Sequence, residues 1–232
     1  MALSRGSLLA LGLRSDRRIG STRVDIFTLI RELGLRLHMA PAGRGRQDLE
    51  GMYLRKGGVG FVFVNAAKPP RRQRLTAAHE LGHHFLLGDD DQEVEHADWN
   101  GDTEQAEERE AYAFARELLM DRHWLKANCA NLPLEEAIEQ TVSRFAVSPE
   151  AAAVRLCELG LITPEQKGQV LAQQQDETTR RWYGRAGQPS DLIDYEPMFL
   201  RRVSRLAAQG ILSEPREQEL IDHADPLKYH RQ

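Results

Sequence analysis

A chain of 232 residues, 41% hydrophobic and 28% charged, is long enough to bury its own core as one domain with an appendage or as two small domains. Its formal charge of -4 argues against unspecific neutralisation of nucleic-acid phosphates, while leaving room for a local basic patch. Two cysteines, Cys129 and Cys157, in no CxxC pair indicate neither a disulfide framework nor a cysteine zinc site. Both are expected to be free thiols in a reducing cytoplasm. The short SLLALGL run leads into RSDRR without a small-residue cleavage site, and no later stretch has the uncharged length needed to span a bilayer. An unexported cytoplasmic protein without membrane association is therefore expected.

Residues 1 to 19 carry several arginines and little periodicity, and read as a flexible N-terminal arm. From Val24, VDIFTLIRELGLRLHM reads as a helix, a cap at Gly34 and a strand. LEGMYLRKGG and GVGFVFVNAA read as two strands of a hairpin turning at Lys56, Gly57 and Gly58. After Pro69 and Pro70, RRQRLTAAHELGHHFLLG reads as one helix, with proline in its first turn and Gly88 near its end. The acidic DDDQEVEHADWNGDTEQ, with Asn100-Gly101, reads as a long exposed loop.

Helical periodicity resumes in EQAEEREAYAFARELLMD, where Ala111, Phe114, Ala115, Leu118 and Leu119 form one stripe. LEEAIEQTVSRF, the connector AVS and PEAAAVRLCELG follow, with Ser148 as N-cap, Pro149 at the first helical position and Gly160 as C-cap. This is a helix-turn-helix shape, yet its second helix carries Arg155 as its one basic residue against two acids. Packing or protein recognition is favoured there over DNA binding. RLCELGLIT and RLAAQGILS, 50 residues apart, read either as a duplicated helix-cap unit or as two ordinary helix ends, and RRWYGRAGQPSD between them as a loop or hinge. The fold class is α+β: a core over residues 20 to 130, a helix-turn-helix-like module over 131 to 165 and a helical region over 166 to 232.

The chemistry centres on HELGH. His79 and His83 lie one helical turn apart on one face, so their imidazoles converge on a point where a metal ion fits. Glu80, next to the first histidine, stands where a general base would take a proton from the attacking water. A catalytic site of this kind takes a third protein ligand, and the following helix offers Glu107, Glu110 and Glu117; local geometry alone does not choose among them. Glu110 borders the apolar stripe most closely, through Ala111 and Phe114, and a carboxylate facing inward needs a partner. A solvated acidic face is the competing account.

Other polar residues carry weaker expectations. His84 points about 100° away from His83 and reads as a wall or surface residue. His96, in the acidic segment, is either a solvated loop residue or a donor that swings over the site. Tyr53 is either a phenol donor or a cross-strand packing residue. The GVGFVFVNAA strand, if it lies at a sheet edge, can take up a substrate segment as an added strand. His38, His123, His223 and His230 show no partner in the sequence.

Taken together, PPRRQRLTAAHELGHHFLLG, EREAYAFARELLMD and SRFAVSPEAAAVRLCELGLI resemble the ImmA/IrrE family of bacterial and phage zinc metallopeptidases over residues 20 to 165. The resemblance implies a zincin-like, gluzincin-like core with zinc held by His79, His83 and Glu110, and Glu80 as general base. It also implies a helix-turn-helix-like module after the core, and as substrate a helix-turn-helix transcriptional repressor cut to relieve repression. Manganese is the alternative ion, since a site of two histidines and a glutamate accepts several. Two positions depart from the family: Tyr112 stands where asparagine is common and Asp121 where proline is. The rival from another class is a non-cleaving regulatory module that sequesters such a repressor; a pure binder has no chemical need of Glu80. A DNA-binding regulator acting through residues 134 to 160 lacks the positive charge, so no direct nucleic-acid contact is expected.

Overall fold

The computed structural model describes residues 3–42, 48–88, 94–99 and 106–172, together with Ser213 and Pro215. The chain divides into two compact units, Met1–Ala186 and Gly187–Gln232, and the architecture described below belongs to the first. Its elements in chain order are α1 (Arg5–Asp16), α2 (Ile26–Glu32), β1 (Arg36–Ala40), β2 (Leu49–Lys56), β3 (Val59–Asn65), α3 (Pro70–Leu87), β4 (Val94–Trp99), α4 (Ala106–Leu119), α5 (Arg122–Cys129), α6 (Leu134–Phe145), α7 (Pro149–Glu158) and α8 (Pro164–Ala172). Beyond α8, the helical region expected over 166 to 232, RRWYGRAGQPSD and the second copy of the glycine-capped unit lie outside the described residues.

The hairpin forms where the glycines predict it. Gly57 and Gly58 both have positive φ, 56° and 72°, a two-residue turn whose twist matches that of the flanking strands. The sheet order is β1-β3-β2-β4, with β1 parallel to β3, and β2 antiparallel to β3 and β4. Two expectations change here. β3, the GVGFVFVNAA strand proposed as an edge for substrate, is paired on both sides, so its backbone is already committed and it offers no free edge. Within the acidic segment read as loop, Val94–Trp99 forms β4 along the open side of β2. Its stabilisation comes from that non-local pairing, to which local sequence pattern is blind.

α3 runs over this sheet and against α4, and is buried almost continuously from Arg71 to His83. Its polar first turns are satisfied by backbone carbonyls: Arg71 Nη1 donates to Val147 O (2.8 Å), Gln73 Nε2 to Lys68 O (2.6 Å) and Arg74 Nη2 to Val24 O (2.9 Å). The same bonds tie the α2 entry and the α6–α7 connector to the helix that carries HELGH.

Residues 5–16, expected to be a flexible arm, are a helix packed on α4 and α3. Ser4 Oγ caps α1 by accepting from Ser7 N (3.2 Å), and its buried face is Gly6, Ser7, Ala10, Leu13 and Arg14. The contact is built from small residues: a Cβ on Gly6 would stand 2.0 Å from Glu110 O. Close approach of two backbones, rather than a stripe of large side chains, binds this helix, and so it leaves little apolar periodicity to read. At its far end, the Arg14 guanidinium donates to Leu118 O (2.5 Å) and to Asp121 (2.9 Å).

After α5, helices α6 and α7 form the expected pair around Ala146, which adopts the left-handed conformation at φ 52°. Arg155, the basic residue of α7, is buried and pairs with Glu117 (2.8 Å) while donating to Met120 O (3.2 Å). Among the described residues no helix is long and apolar enough to cross a membrane.

Candidate metal centre

The four-residue spacing in α3 does what helix geometry requires. His79 and Glu80 are fully buried, His83 nearly so, and the two histidine Nε2 atoms face each other at 3.1 Å. α4 reaches them because Gly82 lacks a side chain: a Cβ there would stand 3.0 Å from Ala111 O and 3.1 Å from Ala111 Cα. One turn before Ala111 on the same face, Glu108 extends over the histidines. Its Oε2 lies 3.0 Å from His79 Nε2 and its Oε1 3.2 Å from His83 Nε2.

Among the described residues, His79, His83 and Glu108 bring one donor atom each within 4.8 Å of the others. Donors about 2.1 Å from a tetrahedral ion stand about 3.4 Å from one another, so the observed separations suit a small ion with little rearrangement. Two imidazoles and a carboxylate are also the donor set of hydrolytic zinc sites. Burial alone would raise the Glu108 carboxyl, but hydrogen bonds and charge from His79 and His83 outweigh it and hold the group well below the usual carboxylate range.

The three glutamates weighed from the sequence lie elsewhere. Glu110, expected as the third ligand, turns toward α1, where its carboxylate accepts from Gly6 N (2.5 Å) near the helix N-terminus. The physical reason is angular: two residues along a helix is a rotation of about 200°, so Glu108 and Glu110 cannot share a face. Glu107 is exposed and lines a cleft of about 130 Å³ with Arg5, His83, Leu86 and Glu110. Glu117 is fully buried among Arg122 and Arg155. Glu108 was not among the candidates. The available signal was its spacing from Ala111 and Ala115, the small residues at i+3 and i+7 that mark the face where another helix approaches.

Glu80 borders β2 through another missing side chain. A Cβ on Gly51 would meet Glu80 Oε1 at 2.6 Å and Thr76 Cγ2 at 2.4 Å, and the β2–β4 register is irregular between Leu49 and Gly51. The Tyr112 ring packs against His79 with centroids 4.0 Å apart. Tyr53 is fully buried and faces α3, its hydroxyl 2.9 Å from His84 Nδ1 and accepting from Arg55 Nε (3.2 Å). His84 thus belongs to the wall between α3 and the sheet. His96 is in register with Tyr53 on β4, and its side chain lies outside the described residues, as do His223 and His230.

Known proteins match the segment that carries this centre. The family model Peptidase_M78, IrrE N-terminal-like domain, matches residues 30–157, which span β1 to most of α7 and include every residue of the centre. A radiation response metalloprotease IrrE of Deinococcus deserti is 34% identical over 100 residues, 42% of this chain and 36% of that protein. The protein of the same name in Deinococcus radiodurans is 60% identical over 30 residues, 13% of this chain and 9% of that protein. The matched stretches therefore cover at most 36% of these curated relatives.

Proposed function

Because this chain belongs to the IrrE N-terminal-like peptidase family, we propose that it is a metal-dependent endopeptidase with His79, His83 and Glu108 as ion ligands and Glu80 as general base. The observation that carries this reading is the convergence of two imidazole nitrogens and a carboxylate from neighbouring helices, with a buried glutamate one residue from the first histidine. Zinc is the expected ion and manganese the alternative. When bound, the ion lowers the pKa of water and polarises the scissile carbonyl.

The protein's own contribution is placement and proton transfer. The Glu80 carboxylate accepts the proton released as water attacks the peptide carbonyl and passes it to the departing amine as the C–N bond breaks. Burial keeps Glu80 out of bulk solvent, and Gly51 leaves the space its carboxylate fills. Of the three ligands, Glu108 is the most exposed, with 15% of its side chain accessible, so an incoming peptide approaches past α4.

The substrate we propose is a helix-turn-helix transcriptional repressor whose cleavage relieves repression, which rests on the resemblance to the ImmA/IrrE family. The test is to incubate the full chain, with zinc or with manganese, with the helix-turn-helix regulator encoded beside its gene. Site-specific cleavage by wild type and none by Glu80→Gln is the expected result. Equal binding of the regulator to both proteins, with no cleavage under either metal, would instead favour the sequestering role for that pair.

A further inference from the structure

We infer that Tyr112 is a positioning residue for the metal centre: its ring, packed on the His79 imidazole and anchored by Arg116, fixes the plane in which His79 presents Nε2. The inference rests on the metal-centre reading and adds to it a residue outside the donor set. Three positions spaced four apart along α4 carry the argument. Glu108 reaches the histidines, Tyr112 lies one turn on, and Arg116 lies one turn further on the same face.

The His79 ring is held from two directions. Tyr112 lies 4.0 Å away, centroid to centroid, at an interplanar angle of 39°, and the His83 ring meets it edge-on at 4.7 Å and 88°. Ligation demands that the imidazole plane contain the bond to the ion, so a contact that limits rotation about the Cβ–Cγ bond lowers the cost of reaching that plane. Tyr112 is itself constrained. It is 7% exposed, and the Arg116 guanidinium sits 5.9 Å from its ring centroid. Arg116 in turn pairs with Glu158 of α7 at 2.7 Å. A line of contacts thus runs from the helical module through Arg116 and Tyr112 to His79. That line gives α7 a part in holding the centre, alongside the Arg155–Glu117 pair one turn away.

The test uses the full chain and the metals alone. Zinc affinity is measured by competition with a chromophoric chelator, ligand geometry by the visible spectrum of the cobalt-substituted protein, and folding by thermal unfolding of the metal-free forms. Tyr112→Leu is expected to bind zinc about 10- to 100-fold more weakly, the range seen when partners of ligating histidines are removed, with an altered cobalt spectrum. Tyr112→Phe keeps the ring face and should restore both. Wild-type zinc affinity and cobalt spectrum in Tyr112→Leu would overturn the inference, as would Tyr112→Phe behaving like Tyr112→Leu. If Tyr112→Leu does not fold, Arg116→Gln decides: weaker zinc binding with a changed cobalt spectrum supports the inference, and unchanged values overturn it. Failure of wild type to bind either metal would sink the metal centre itself, an outcome separate from wild type and Tyr112→Leu binding alike.

Discussion

α3 and α4 meet at one centre but were readable to very different degrees. In α3 the functional geometry is internal to the helix: His79 and His83 converge because they are four residues apart, whatever packs around them. In α4 the same kind of residue has four different fates. Glu107 faces solvent, Glu108 the histidines, Glu110 the backbone of α1, and Glu117 the buried Arg155 and the partly exposed Arg122. Spacing fixes relations within an element, and only the neighbouring elements decide which face of it does what.

The sharpest test of the contrast separates chemistry from assembly. Glu80→Gln should lower turnover by about 10²- to 10⁴-fold while zinc affinity stays near wild type, as read by cleavage rate and chelator competition on the same samples. Comparable loss of metal would mean that Glu80 supports the site rather than acting in it. Next in size is Glu117, whose carboxylate is enclosed with Arg122 and Arg155. Glu117→Leu removes the buried carboxylate that pairs with the buried Arg155 and should cost about 3–5 kcal/mol in denaturant unfolding.

That network also sets an acid response. Burial would raise the Glu117 carboxyl, but the hydrogen bond from Arg122 and the charge of Arg155 hold it below its ordinary value. Asp121 is likewise depressed: burial raises it, and the bond from Trp124 N and the charge of Arg14 outweigh that. The unfolded chain therefore takes up these protons at higher pH than the folded one. Their contribution is complete above the ordinary carboxylate range and is lost as the pH falls through and below it. Unfolding free energies measured from pH 7 down to pH 3 should decline, and less steeply in Glu117→Leu.

The comparison between the two neighbouring glutamates is the most direct one. Glu108→Gln should weaken zinc binding by more than about 100-fold, beyond the loss typical of partners outside the donor set. Glu110→Gln should leave zinc binding within a few-fold and cost only about 1 kcal/mol of stability, read as easier unfolding with faster amide exchange in α1. The reverse pattern would make Glu110 the ligand in place of Glu108. The Tyr112 variants complete the series for His79.

Two features of this region that local pattern does not show share a cause. An arm with no apolar stripe and an inward glutamate with no evident partner were two halves of one contact: Gly6 packs on the α4 backbone and donates to Glu110. The partner that the Glu110 carboxylate meets in this structure is the Gly6 amide at the N-terminus of α1. β4 eluded local reading in the same way, because its ladder is supplied by β2 some 40 residues earlier.

By itself, the sequence determined the helix–strand hairpin–helix order, the Gly57-Gly58 turn, the convergence of His79 and His83 and the family to which they belong, because each depends on short-range spacing or backbone preference. Only the tertiary structure decided that β3 is interior, that α1 is part of the packed unit and that Glu108, not Glu110, lies within 3.2 Å of both histidine Nε2 atoms. Each of those depends on which surfaces meet across long separations, where small residues such as Gly6, Gly51 and Gly82 act by the space they leave.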